Sequence, residues 1–268
     1  MRRLLKSLVK FSGKLGINDR FFKTGTRIAK FLLPSEAVIT VGGYKMLIEP
    51  KKDLGLYFGY EGVEPGVVAI LPRILKKQDV FMDIGAYKGF YSLMASQFVS
   101  SVIAVEPDPE SFAFLTRNIQ LNGIHNVLAL NVAISDFEGE AYFVPAGEGS
   151  RISEHGSFKV KARTVDGICS ELGLIPNLIK IDVEGAEYSV LRGAKKVLSH
   201  YRPILLIEVH ENADFKLFDF LISFGYRIGL LSDDGEILES RLEEIKEKCR
   251  ERRWTKHGTR MNQHVYCD

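Results

Sequence analysis

Along the chain the spacing of apolar residues switches between unbroken runs and helical stripes, and each switch marks an element. Val80-Phe81-Met82 is an apolar run ending in Asp83-Ile84; glycines follow at 85 and 89, then Phe90, Leu93, Met94 and Phe98 at helical spacing. That order predicts a buried strand, a tight turn and a helix. Ser101–Val105 reads as the next strand. Asp108 is the expected N-cap of the helix after it, with Pro109 at the first position, a stripe of Phe112, Leu115 and Ile119, and Asn122-Gly123 at the end. Further strands are predicted over 127–133, Leu178–Ile181, 203–207 and 226–231. Between them lie a short helix from Thr164-Val165-Asp166 and a helix burying Val190, Leu191, Ala194, Val197 and Leu198. An amphipathic helix over 215–224 is closed by Gly225. Residues 264–267 read as a last, antiparallel strand.

This alternation predicts an α/β protein: a mostly parallel seven-stranded sheet with helices on both faces. Three parts follow. Residues 1–36 form a basic amphipathic arm, 37–78 a β-hairpin and a lead-in helix, and 79–268 the core domain. The hairpin signal is Gly42-Gly43 between two β-prone runs, and the lead-in helix is expected over 67–77. Residues 140–165 are a β-rich excursion whose Gly/Ser loop, at 147–157, reads either as a lid over a substrate or as plain solvent-exposed loop. A charged helix is expected over 239–253.

Composition narrows the class. The chain has 268 residues, 46% of them hydrophobic, enough for a full core in one large domain with an extension. The net charge of +2 argues against a general nucleic-acid-coating surface. Cys169, Cys249 and Cys267 are widely spaced, make no zinc pattern and fit a reducing compartment. Signal-peptide features and membrane-length apolar runs are missing, so a cytoplasmic location is expected. Residues 1–33, rich in lysine, arginine, leucine and phenylalanine, read as a helical arm packed on the domain or on a second copy in a homodimer. The other reading is a helix in peripheral contact with a membrane surface.

Candidate chemistry gathers at the strand ends, where ligands of such sheets bind. The loop after Asp83 is spaced G-x-x-x-G and lacks the G-x-G-x-x-G of a dinucleotide fold, which makes an NAD-dependent dehydrogenase a poor fit. Glu106 closes the next strand about twenty residues after Gly85, where an acid takes both ribose hydroxyls of an adenosine. A glycine loop with an acid before it and an acid closing the next strand suits S-adenosylmethionine (SAM), with Asp83 on its cationic methionine end. The later strand ends carry Asp182 with Glu184 and Glu208 with His210, on the substrate side.

Several stretches together resemble the FkbM-type SAM-dependent methyltransferases. They are Asp83-Ile84-Gly85-Ala86-Tyr87-Lys88-Gly89-Phe90-Tyr91-Ser92, Val105-Glu106-Pro107, Ala133-Ile134-Ser135-Asp136, Thr164-Val165-Asp166, Lys180-Ile181-Asp182-Val183-Glu184-Gly185-Ala186-Glu187 and Ile207-Glu208-Val209-His210. The resemblance runs from about 61 to about 231, and Tyr87 stands where the family usually has asparagine. It implies a Rossmann-like methyltransferase sheet and O-methylation of a sugar, glycan or small-molecule hydroxyl. It also implies that Gly85, Ala86 and Gly89 line the methionine part, that Glu106 takes the ribose and that Ser135 or Asp136 lies near the adenine, with Tyr87 and Pro107 also among the cofactor-binding residues. Asp182 would sit close to the transferred methyl.

An acceptor hydroxyl has to lose its proton. His210 titrates near neutrality and is the expected general base. Asp182, Glu184 or Glu208 could serve instead, or could bind a divalent cation that acidifies the hydroxyl. The bland alternatives are a hydrogen-bonded strand-end histidine and, for Glu184, a helix N-terminal acid. Two rival functions stand beside this one. An RNA methyltransferase is disfavoured by the near-neutral charge and the absence of an Asn-Pro-Pro-Tyr-like element. A SAM-binding module without catalysis is the other.

Overall fold

The computed structural model describes residues 33–53, 56–57, 64–144, 151–153, 158–210, 212–251, 253–254, 260–261 and 263–268. The expected arm over 1–36 therefore lies almost wholly outside the described residues, as does most of the 147–157 loop. Strands β1 (Ala37–Val41) and β2 (Tyr44–Ile48) form the expected hairpin, with Gly42 and Gly43 both at positive φ. Helix α1 (Pro65–Ile74) follows, a turn shorter at its end than expected. Then come β3 (Val80–Ile84), α2 (Phe90–Ser96), β4 (Ser101–Val105), α3 (Pro109–Leu121) and β5 (Val127–Leu130). The Asp108 carboxylate accepts from the Glu110 N–H, so the expected cap of α3 is made.

The third strand is shorter than its apolar run. Asn131 turns the chain by donating its side-chain amide to the carbonyls of Glu106 and Pro107. Beyond it, β6 (Ala133–Ile134) joins a separate four-stranded sheet with β7 (Gly139–Val144), β8 (Arg151–Ser153) and β9 (Phe158–Arg163). Part of the predicted Gly/Ser loop is thus a strand paired to β7.

The core resumes with α4 (Val165–Leu172), capped by Thr164, and β10 (Leu178–Ile181). The single helix expected next is two, α5 (Glu187–Arg192) and α6 (Lys195–His200). Gly193 at their junction packs against the Ser135 carbonyl, where a Cβ would lie 2.1 Å from the oxygen. After β11 (Ile204–Val209) come α7 (Lys216–Ser223), β12 (Ile228–Leu231), β13 (Ile237–Glu239) and α8 (Leu242–Arg250). The short pair β14 (Arg253–Trp254) and β15 (Arg260–Met261) precedes β16 (Gln263–Cys267).

The central sheet has eight strands in the order β13-β12-β16-β11-β10-β3-β4-β5. The strand beyond the seven expected is β13, the hairpin partner of β12. From β11 to β5 neighbours run parallel, while β16 inserts antiparallel between β11 and β12. Alternate residues feed opposite faces. Val80, Met82 and Ile84 join a core with α4 to α8, whereas Phe81, Val102, Leu178 and Leu206 face the hairpin and α1 to α3.

Candidate active site

Sheet register brings the site together. The last apolar row is Ile84, Ile181, Ile207 and Val265. One residue further along, Gly85, Asp182, Glu208 and His264 stand side by side. Chain reversal at Gly85 requires a bare α-carbon twice over. Its φ is +82°, and a Cβ would lie 1.8 Å from the Asp182 carbonyl oxygen. The loop after β3 is therefore pressed against Asp182, whose N–H still donates to the Ile84 carbonyl at 3.0 Å.

On the β4 side, Glu106 is 6% exposed and accepts hydrogen bonds from the Tyr87 N–H at 2.7 Å and the Asp108 N–H at 2.9 Å. Burial pushes its carboxyl up to about 8 despite those donors. Asp83 is fully buried. One of its oxygens accepts from the Ser92 hydroxyl at 2.6 Å, and the other has no hydrogen-bond partner. Burial raises its pKa, although Lys180 beside it in register opposes the rise.

On the β10–β11 side, His210 is 3% exposed. Its Nδ1 lies 2.7 Å from Glu187 Oε1, and its Nε2 lies 3.3 Å from Glu184, 3.7 Å from Asp182 and 3.9 Å from Glu208. Burial acts to lower the imidazole pKa. The hydrogen bonds that Glu184 and Glu187 accept from the ring and the charges of Glu208 and Asp182 outweigh it, and the pKa is pushed up to about 11. The ligand-free ring is thus an imidazolium at neutral pH, where the sequence suggests a group titrating near neutrality. The Lys180 ammonium, 3.0 Å from Asp182, holds that carboxylate below its usual range against the opposing effect of burial.

Other positions divide. The Tyr87 side chain turns away from the strand ends and donates to Asp53. Ser135 and Asp136 lie 3.3 Å apart at the end of β6, and Asp136 pairs with Arg192. Pro107 offers its carbonyl to Asn131.

Four residues of the site carried no role in the sequence reading: Glu64, Lys180, Glu187 and His264. His264 sits opposite Glu208 because β16 runs antiparallel there, a register that no local pattern encodes. Glu64 comes from the residue before α1, and burial pushes its carboxyl up to about 7. Two groups of ligand-type side chains share Glu208, namely Asp182–Glu208–His210 and Glu64–Glu208–His264, with donor atoms within 4.8 Å of one another in each. Mixed nitrogen and carboxylate donors at that spacing could hold a divalent cation.

This arrangement of glycine loop, Glu106 and acidic strand ends agrees with the sequence comparison: residues 83–228 match the Methyltransferase FkbM domain. The chain belongs to the FkbM methyltransferase family. Among curated proteins of similar sequence are a hexuronic acid methyltransferase, AglP, of Haloferax volcanii, and a 2-O-methyltransferase, NoeI, of Sinorhizobium fredii. AglP is 31% identical over 159 residues, covering 57% of this chain and 65% of AglP. NoeI is 31% identical over 155 residues, covering 48% of this chain and 63% of NoeI. The matches thus span just under two thirds of each relative. A crystal structure of an FkbM methyltransferase from Methylobacillus flagellatus superposes with a TM-score of 0.50 at 19% identity, covering 80% of this chain and 50% of that one, and so shares the fold. Glu64 and His264 lie outside the family match. No described helix is long and apolar enough to cross a membrane.

Proposed function

We propose that this protein is a SAM-dependent O-methyltransferase acting on a hydroxyl of a sugar, with a uronic acid or glycan as the first acceptor class to test. The observation that carries this is the single row of strand ends. It sets the glycine loop and Glu106 on one side and His210 with three carboxylates on the other, within one family domain. The acceptor class rests on the relatives named for hexuronic acid and 2-O methylation.

The residues fit the cofactor. Asp83 offers a buried oxygen with no partner, and the bare Gly85 lets the loop lie directly against the Asp182 carbonyl. Glu106 and Asp83 would hold the ribose and the methionine end, with Gly85, Ala86 and Gly89 as the cradle and Ser135 or Asp136 near the adenine. SAM supplies an electrophilic methyl on a sulfonium sulfur. The chain's own task is to hold an acceptor oxygen in line about 3 Å from that carbon and to take its proton. We assign this to the His210 Nε2, which lies 3.3 Å from Glu184 and 3.7 Å from Asp182. It becomes a base only after its own proton has passed to the neighbouring carboxylates or to solvent. A cationic ligand beside Asp182 favours that release by cancelling part of the field that holds the proton.

Transfer of radiolabelled methyl from SAM to a panel of free and glycosidic hexuronic acids tests the reading. Label in an alkali-stable ether is expected. Label appearing only in added RNA would replace this reading with the RNA methyltransferase one.

A further inference from the structure

Glu187, like Asp83, is a completely enclosed carboxylate of the site. It is 0% exposed, lies at the start of α5 and faces His210 from behind. Its Oε1 is shared by two groups, the His210 Nδ1 at 2.7 Å and the Gly185 N–H at 2.9 Å. A carboxylate on Nδ1 selects the tautomer with the proton on Nδ1, which leaves Nε2 as the nitrogen that exchanges protons on the other side.

The turn that delivers Glu187 is over-determined. Glu184 and Gly185 both have positive φ, at +54° and +102°. A non-glycine residue held there costs about 1–3 kcal/mol and persists only where its surroundings enforce it. Here Asn212, two residues beyond His210, donates its side-chain amide to the Glu184 carbonyl and packs so close to Gly185 that a Cβ would lie 2.5 Å from it. The β10 loop and the β11 loop are thereby locked together, with Glu187 and His210 as their buried contact. Burying a carboxylate is costly, and an apolar residue would hold the same packing more cheaply if packing were its whole purpose.

From this geometry, and on the methyl-transfer reading above, we propose that Glu187 is a positioning residue for His210. It holds Nδ1–H so that Nε2 faces Asp182, Glu184 and Glu208, where the acceptor hydroxyl is to lose its proton. The groups that face the imidazole are Glu187 from α5, Asp182 and Glu184 from the β10 loop, and Glu208 from β11. Glu187 is the one that meets Nδ1; the other three surround Nε2.

The test uses the whole chain and Glu187→Gln, read in two ways. First, histidine 15N spectra of the wild type, taken on the high-pH side of the His210 titration where the ring is neutral, should show the remaining proton on Nδ1, and in Glu187→Gln the His210 titration should move down by about one pH unit or more. This readout needs neither SAM nor turnover, so it stands or falls apart from the methyltransferase reading. An Nδ1 without its proton in the wild type, or an unmoved titration in the variant, overturns the proposal. Should the variant fail to fold, the wild-type spectrum alone decides that point. Second, with SAM and p-nitrophenyl β-D-glucuronide as acceptor, kcat is expected to fall 10- to 100-fold with KM for the acceptor and Kd for SAM within twofold. The rising limb of kcat/KM should shift to lower pH. A fall in SAM affinity equal to the fall in kcat, with the limb unmoved, marks a merely structural role and also overturns it.

Discussion

The Tyr87 hydroxyl donates a hydrogen bond of 2.7 Å to Asp53, and the same carboxylate pairs with the buried Lys88 ammonium at its other oxygen, 2.5 Å away. Glu49 is 3.1 Å from that ammonium. The glycine loop is therefore tied to the segment after the hairpin through the Tyr87 and Lys88 side chains. Tyr87 keeps a left-handed backbone, φ +49°, and offers its N–H to Glu106. Its main chain serves the site while its side chain serves the fold.

Tyr87→Phe should remove that bond and cost about 1–2 kcal/mol, with Asp53 still paired to Lys88. Lys88→Met should cost more, about 3–5 kcal/mol, because it strands buried acids. Urea melts give both numbers. Equal, negligible losses would mean that the tie does not constrain the loop.

Two glycines at positive φ separate strain from space. Gly85→Ala puts a Cβ 1.8 Å from a carbonyl oxygen, whereas Gly123, φ +62°, has nothing within 4 Å of a new Cβ. Gly85→Ala is expected to cost about 3 kcal/mol or more or to prevent folding, and Gly123→Ala about 1 kcal/mol. Similar thermal shifts in the two would contradict the close approach of the loop to Asp182.

The sign of the pH dependence follows from two raised groups. Glu106, pushed up to about 8, keeps its proton in the fold above the pH at which the unfolded chain releases it. Stability from this group is present below about pH 4.5 and is lost as the pH rises toward 8. His210, pushed up to about 11, adds stability that is full below about pH 6.5 and is lost as the pH rises through 11. The melting temperature should therefore fall from pH 6 to pH 9. Glu106→Gln should flatten the lower part of that slope and His210→Gln the upper part. A melting temperature that climbs over this range would show that other groups dominate.

His210→Ala should lower turnover by at least 100-fold while SAM affinity stays within a few-fold. In the wild type kcat/KM should keep rising past neutral pH, because the free imidazolium releases its proton late. A profile levelling off near pH 6.5, or equal loss of turnover and affinity in the variant, would remove His210 from the proton-transfer step.

The strands around the site are legible in the sequence because they are continuous apolar runs that each end in an acid: Asp83, Glu106, Asp182 and Glu208. Buried parallel strands advertise themselves in this way. The caps of α3 and α4 and the turn at Gly42-Gly43 were equally local signals. What the sequence hid depends on contacts across the fold. Asn131 ends a strand by bonding carbonyls 24 and 25 residues away. The helix expected over 190–198 is split at Gly193, beyond which the Lys196 and Val197 N–H groups donate to the distant Asp166 carboxylate. His264 meets Glu208 only through an antiparallel register set at the far end of the chain. The charge state of His210 is hidden from the sequence for the same reason, since four carboxylates from three elements converge on one ring.

Calorimetric titration with S-adenosylhomocysteine, on the wild type and on Glu106→Ala, tests the central claim most directly. Saturable one-to-one binding by the wild type, weakened at least tenfold in a folded Glu106→Ala, is the predicted result. No heat of binding from the folded wild type, or affinity unchanged by the substitution, would contradict a cofactor site at the Gly85 loop and Glu106.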